Sequence, residues 1–149
     1  MNAVAVPSPF TSPTLAAGLQ TFLAFDFGLK RTGVATGNCL TRTASPQPTI
    51  HASNNQRLAA VALLIKEWQP DALVVGIPFH PDGAKNETTA HAQKFARQLR
   101  AKFALLVFEV DERYSTTEAK SLYARGAKDA DAASACIILE QFLRSFPDE

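Results

Sequence analysis

The sequence predicts a single α/β domain in which a mixed central sheet is flanked by helices. Three strand-like segments come first, and helix-like and strand-like segments alternate after them, as in layered α/β folds. Two of the later segments, ALVVGIP and ALLVFEV, are continuous apolar runs, which is typical of strands covered on both faces. The chain has 149 residues, of which 46% are hydrophobic, so we expect one core and one folded domain over residues 21–146.

Residues 1–20 are predicted to form a flexible N-terminal tail. They lack the basic start of a signal peptide, and three prolines interrupt them too often for a membrane span. The two cysteines, Cys39 and Cys136, have neither disulfide nor metal-ligand spacing, and Cys136 is predicted to be a core residue. These features predict a cytoplasmic protein with no membrane partner. The net charge of +1 excludes a basic field over the whole surface, so any site for a polyanion must be local.

The three N-terminal strands are predicted to form a hairpin followed by an edge strand. The run FLAF is short, apolar and without helical period, so it predicts a buried strand that ends at Asp26. Gly28 and Gly33 suit a tight reversal or a close backbone approach, and VAT resumes strand composition after them. The segment TASPQPTI predicts a third strand at the sheet edge, because proline cannot donate to a central ladder.

Helices are predicted between and after the later strands. NNQRLAAVALLIKEWQ has an Asn cap signal and apolar residues at helical spacing, among them Val61, Leu64 and Trp68, and Trp68 is expected in the core. NETTAHAQKFARQLRAK predicts a second helix with a basic exposed face. STTEAKSLYARG predicts a third helix with a capping acid, and DADAASACIILEQFLRSF predicts a strongly amphipathic last helix.

Acidic residues lie at the ends of two predicted strands and at the start of the last helix. Asp26 ends the first strand, Asp111 and Glu112 end the last strand, and Asp129 and Asp131 begin the helix. Ligands of open α/β sheets bind at the carboxyl ends of strands, so the acids meet at one edge if the first and last strands are neighbours. Structural alternatives are a turn hydrogen bond for Asp26 and helix-dipole stabilisation for the acids of the last helix.

Carboxylates that converge without His or Cys are typical of sites for hard divalent cations such as Mg²⁺ or Mn²⁺. Two such ions can activate a water and stabilise the leaving oxygen in phosphodiester cleavage. Four bases, Lys30, Arg31, Arg113 and Lys128, flank the acids and are predicted to contact the phosphates of a nucleic acid. The alternative is that these single exposed bases are ordinary surface charge.

Four stretches of the chain carry a family resemblance: AFDFGLKRTGVATG, LVVGIPFHPDG, DERYSTTEA and DAASACIILEQFL. Together they resemble the YqgF family, also called RuvX, whose fold is similar to that of ribonuclease H and of the Holliday-junction resolvase RuvC. The resemblance implies an RNase H-like domain and a two-metal nuclease whose catalytic and metal-binding acids are Asp26, Glu112 and Asp131. Asp111 and Asp129 stay open as alternatives, because alternate strand residues face opposite ways and the loop ARGAKDA before the last helix is short.

The resemblance implies an enzyme that acts on structured RNA and matures the 5′ end of the 16S rRNA precursor. The alternative substrate is branched DNA, in Holliday-junction resolution, and no base-reading motif distinguishes the two. We expect a monomer or a weak dimer. Two other classes compete: a nucleotide-binding module, since DFGLKRTGVA also resembles the first phosphate loop of the actin and sugar-kinase group, and a nonenzymatic RNA-binding factor that retains the fold.

Overall fold

The computed structural model describes residues 5–6, 19–79, 82–112 and 130–145. From β2 onward, the described strands and helices follow one another in the order that the sequence predicts. The elements are β1 (Ala5–Val6), β2 (Thr21–Asp26), β3 (Thr32–Asn38), β4 (Ala44–Ile50), α1 (Asn54–Trp68), β5 (Ala72–Ile77), α2 (Glu87–Phe103), β6 (Leu106–Asp111) and α3 (Ala130–Arg144).

The strands form one mixed sheet in the order β1-β6-β5-β2-β3-β4. The pairs β2–β3 and β3–β4 are antiparallel, whereas β5 is parallel both to β2 and to β6. β4, with Pro46 and Pro48, lies at the edge of the sheet, as the prolines predict. The predicted α/β class with a mixed central sheet is therefore confirmed.

The two faces of the sheet pack against different helices. Side chains of β2 alternate between them: Phe22 and Ala24 belong to the core on the α3 face, and Leu23 and Phe25 belong to the core under α1 and α2. The aromatic ring of Phe22 meets that of Phe142 of α3 at a centroid distance of 5.2 Å, in edge-to-face geometry. Because every central strand is covered on both faces, functional groups can reach solvent only at the strand ends.

The loop between β5 and α2 is fixed at its far end by a helix cap. The side chain of Asn86 accepts a hydrogen bond from the backbone N–H of Thr89, and the Thr89 hydroxyl accepts one from the backbone N–H of Asn86. The Thr89 hydroxyl also donates to the carbonyl of Pro78, one residue beyond β5. The start of α2 is thus tied directly to the carboxyl end of β5.

Several predictions about single segments have different outcomes. Trp68 is 41% exposed rather than in the core, because it lies in the last turn of α1, beyond the part that covers the sheet. Cys136 is buried in α3, as predicted. Two residues of the predicted tail, Ala5–Val6, pair with β6, and most of that tail lies outside the described residues, as does the helix predicted for STTEAKSLYARG. Among the residues that the structure describes, no helix has the length and apolar character needed to cross a membrane.

Candidate active site

Asp26 lies at the carboxyl end of β2 between two glycines. Its register partner on β3 is Gly33, and its register partner on β5 is Gly76. Strand alternation puts Asp26 on the same face as Phe22 and Ala24, which is the face covered by α3. The two glycines carry no side chains on either side of this half-buried acid, so groups from other elements can occupy that space.

The first turn of α3 occupies the space over Gly33. A β-carbon built on Gly33 would lie 1.9 Å from the carbonyl oxygen of Asp131 and 3.1 Å from the amide nitrogen of Ala132. Only glycine permits this approach of backbone to backbone. The contact sets Asp131 beside the strand pair that carries Asp26.

The side chain of Glu112 occupies the space over Gly76. A β-carbon at Gly76 would lie 2.9 Å from Oε2 of Glu112 and 2.4 Å from Cδ1 of Ile138 of α3, so Glu112 is on the α3 face. β5 separates β2 from β6, so the strands of the two acids are not neighbours. The carboxylate of Glu112 nevertheless lies over Gly76, the residue of β5 that is paired with Asp26, because Gly76 has no side chain to fill that space.

Asp111 belongs to the opposite face of the sheet. On β6, Phe108 and Val110 lie in the core on the α3 face, whereas Glu109 forms an ion pair of 3.0 Å with Arg100 of α2. Alternation along the strand therefore directs Asp111 toward the α2 face. Of the two acids that the sequence left open, Glu112 is the one on the same face as Asp26.

The three acids share one end and one face of the sheet, but in this arrangement their carboxylates do not converge on one point. Among the described residues, no group of three or more His, Cys, Asp or Glu side chains is placed to hold a metal ion. The Asp131 carboxylate is instead paired with Arg31, with 3.1 Å between Nε and Oδ2. The donors are all carboxylate oxygens, which suits a hard cation, yet Asp131 would have to turn away from Arg31 to contribute to such a site.

Two of the four predicted phosphate-binding bases lie in the turn between β2 and β3. Lys30 and Arg31 are both exposed there, and Arg31 contacts one of the acids through its ion pair with Asp131. Arg113 and Lys128 lie outside the described residues, as does Asp129, the alternative to Asp131. The predicted basic edge is thus described only in part.

The sequence analysis missed Arg57, which supports this turn. Arg57 is 5% exposed, and its Nη2 donates to the carbonyl oxygens of Gly28 at 3.0 Å and Leu29 at 2.6 Å. Its guanidinium stacks over the ring of Phe27 at 4.4 Å. Arg57 stands four residues before the buried Val61, on the apolar stripe of α1, and a charged residue at such a position was the signal available in the sequence.

Comparison with solved structures identifies the class of fold. Thermus thermophilus RuvC superposes with a TM-score of 0.59 over 84% of this chain and 95% of that chain, at 15% sequence identity. The same protein in complex with a Holliday junction substrate gives a TM-score of 0.56 over 85% of this chain and 94% of that chain. The chain therefore has a RuvC-like fold of the RNase H-like class.

Comparison of sequences identifies the family. The family model described as "RuvX: Holliday junction resolvase" matches residues 20–145, and the chain belongs to this family. A relative from Polaromonas sp. (strain JS666) is 76% identical over 135 residues, which cover 91% of this chain and 96% of the relative. A relative from Albidiferax ferrireducens is 68% identical over 131 residues, which cover 88% of this chain and 82% of the relative. Both relatives carry the name "Putative pre-16S rRNA nuclease". The resemblance found in the sequence is confirmed.

Proposed function

We propose that this protein is a metal-dependent nuclease that hydrolyses phosphodiester bonds at the 5′ end of the 16S rRNA precursor. One observation carries the proposal: Asp26 lies between Gly33 and Gly76, and Asp131 and Glu112 lie over these glycines. The names of the relatives at 76% and 68% identity support ribosomal RNA as the substrate. We expect the enzyme to act in the cytoplasm as a monomer or a weak dimer.

The carboxylates of Asp26, Glu112 and Asp131 are the groups that would hold Mg²⁺ or Mn²⁺. Two such ions, when bound, supply an activated water and stabilise the leaving oxygen of the phosphodiester. Asp131 must exchange its ion pair with Arg31 for this role. Arg31 then becomes available, together with Lys30, to bind and orient the phosphate backbone of the substrate.

Resolution of Holliday junctions is the second candidate function. It is favoured by the RuvC-like fold and by the description of the family as a Holliday junction resolvase. The same carboxylates would hold the ions for either substrate, since metal-assisted hydrolysis of a phosphodiester bond is the same reaction in RNA and DNA. The choice between the two functions therefore depends on which nucleic acid the surface around the acids accommodates.

A cleavage assay with two substrates tests these proposals. A 16S precursor with its 5′ extension and a four-way DNA junction are incubated with the protein in Mg²⁺, in Mn²⁺ and in chelator. We expect metal-dependent removal of the 5′ extension by the wild type, no cleavage by Asp26→Asn, and normal cleavage by Asp71→Asn. Asp71 is the matched control because it directly precedes β5, at the opposite end of the sheet, and binds backbone N–H groups of residues 20 and 21 there.

Other results of this assay, together with RNA binding and melting temperature measured on the same proteins, would identify a different function. Cleavage of the junction alone would favour the resolvase. Binding of the precursor that is unchanged in Asp26→Asn, with no cleavage in any metal, would favour a nonenzymatic RNA-binding factor. A rise in melting temperature with ATP and Mg²⁺ that exceeds the rise with Mg²⁺ alone would favour a nucleotide-binding module.

A further inference from the structure

A small polar pocket lies between α1, α2 and the turn after β2, on the sheet face opposite α3. Its volume is about 140 Å³. Pockets that bury a whole drug-sized ligand have at least about 300 Å³, so this pocket has room for a single small group. We call it the α1–α2 pocket, and its lining residues are Phe27, Leu29, Asn54, Arg57, His91, Lys94, Phe95 and Gln98.

The lining of the α1–α2 pocket carries positive charge and, among the described residues, no acid. Lys94 and His91 are exposed at its opening, and Arg57 is buried in its wall. The hydrogen bonds of Arg57 go to backbone carbonyls, and its Nε has no hydrogen-bond partner within the described ranges. A buried cation without a carboxylate partner is costly, and an anion in the pocket would supply the opposite charge.

The α1–α2 pocket opens at the same end of the sheet as the acids. Phe27 directly follows Asp26, so at the end of β2 their side chains lie on opposite faces of the sheet. Asn54 begins α1 after β4, and His91 lies near the start of α2 after β5; both strands run in the direction of β2. A chain of phosphates that crosses this end of the sheet can therefore contact the acids and the pocket together.

The exposed side of α2 continues the positive surface away from the pocket. The helix contains the single acid Glu87 but four bases, and Arg97 and Lys102 are exposed like Lys94, whereas Arg100 is paired with Glu109. Such a row of bases attracts a polyanion more strongly than a free small anion. The ligand that suits both the pocket and the helix is a nucleic-acid backbone.

We propose that the α1–α2 pocket binds one backbone phosphate of the nucleic-acid substrate, at a nucleotide away from the bond that is cleaved beside Asp26. The inference rests on the proposed function for the identity of the substrate, but it requires neither metal nor cleavage. Lys94 contacts the phosphate directly, and Arg57 contributes its charge from the pocket wall.

Binding measurements without metal test this site. Affinity for a fluorescent precursor RNA fragment is measured in chelator at several salt concentrations for the wild type, Lys94→Gln and Lys66→Gln. Lys66 is the matched control: it is an exposed lysine in the last turn of α1, away from the pocket and from α2. We expect Lys94→Gln to weaken binding several-fold and to reduce the slope of log K against log salt by about 0.7, as for one lost contact to single-stranded RNA. Lys66→Gln should leave the slope unchanged.

Three outcomes would overturn the proposal. The first is an unchanged salt slope in Lys94→Gln, and the second is an equal loss in both variants, which would indicate diffuse attraction rather than a site. The third combines two measurements: inorganic phosphate raises the melting temperature of the wild type but not of Lys94→Gln, while the two proteins bind RNA with the same affinity. This result would assign the pocket to free phosphate. RNA binding that depends on Lys94 in a protein that cleaves nothing would support the pocket and contradict the nuclease function alone.

Discussion

The backbone of Asp131 rests on Gly33: a β-carbon at residue 33 would come within 1.9 Å of the Asp131 carbonyl oxygen. The contact joins the start of α3 to the strand that pairs with Asp26. The position of one proposed catalytic acid relative to another is thus set by a residue that has no functional group.

Gly33→Ala is therefore expected to damage both the fold and the site. The added methyl meets backbone atoms of Asp131 and Ala132, which cannot move without displacing α3. Overpacking of this kind typically costs roughly 1–3 kcal/mol of unfolding free energy. Denaturant unfolding and the cleavage rate measure the two effects, and a variant as stable and as active as the wild type would show that the α3 contact does not position Asp131.

Gly76→Ala is expected to separate activity from stability. Its methyl would meet the ends of the Glu112 and Ile138 side chains, which can rotate away, so the loss of stability should be smaller than for Gly33→Ala. Rotation of Glu112 removes its carboxylate from the space beside Asp26, and cleavage should fall strongly. The same two measurements apply, and a Gly76→Ala variant that melts early but cleaves normally would contradict the placement of Glu112.

Amide substitutions test the acids directly. Asp26→Asn, Glu112→Gln and Asp131→Asn should each reduce cleavage by orders of magnitude, because each removes a negative ligand of a divalent ion. Stability without metal should hold or rise for Asp26→Asn and Glu112→Gln, since repulsion among neighbouring carboxylates is relieved, and it should change little for Asp131→Asn, which loses only the partly exposed ion pair with Arg31. Asp111→Asn, on the opposite face, should have a mild effect on cleavage. Early melting with normal cleavage would assign Asp26 and Asp131 to the fold.

Arg31→Gln tests the ion pair that engages Asp131. The Arg31 side chain is 62% exposed, and exposed ion pairs contribute about 0–1 kcal/mol, so the melting temperature should change little. Removal of this competing cation should lower the Mg²⁺ concentration that gives half-maximal cleavage, while weaker phosphate contact raises KM for the RNA. A metal titration of both proteins measures the shift. An unchanged Mg²⁺ midpoint would show that Asp131 is not a ligand.

The two cysteines should react at very different rates. Burial, with a smaller contribution from Glu140, raises the pKa of Cys136 to about 12 from an ordinary value of 9.0, whereas Cys39 is partly exposed. Because only the thiolate reacts, a colorimetric thiol reagent at pH 8 should label Cys39 in the native protein and Cys136 only after unfolding. Below pH 9 the Cys136 thiol is neutral in both the folded and the unfolded state, and the stability of the fold should decrease as the pH rises from 9.0 toward 12, where only the unfolded chain can ionise this thiol. Rapid labelling of native Cys136 would contradict its burial.

Local patterns in the sequence predicted the elements and their order. The prolines of β4 predicted an edge strand, and the apolar face of α3 predicted a helix with Cys136 inside. These predictions depend on residues close together in the chain, where side-chain spacing alone determines which face is buried. Asp26 was recognised as a candidate for the same reason, since it ends a continuous apolar run.

The non-local part of the site could not be read from local patterns. The position of β5 between β2 and β6 depends on parallel pairing between distant segments, and the sequence carries no register for it. Without that register, the choice between Asp111 and Glu112 stays open, because it depends on which face of the sheet each acid occupies. The place of Arg57 on the apolar stripe of α1 indicates only that its side chain is buried, and its role at the turn was missed because its partners are backbone carbonyls, which have no signature in the sequence.

The sheet order has a consequence for when the protein can become active during its synthesis. Asp26 is made early, but its neighbours on the sheet include β5, and the acid over Gly33 arrives only with α3, the last helix of the described chain. While α3 is still inside the ribosome, the emerged part of a nascent chain would thus contain Asp26 but not Asp131. On the proposed function, a nascent chain could not cut ribosomal RNA before α3 has left the ribosome.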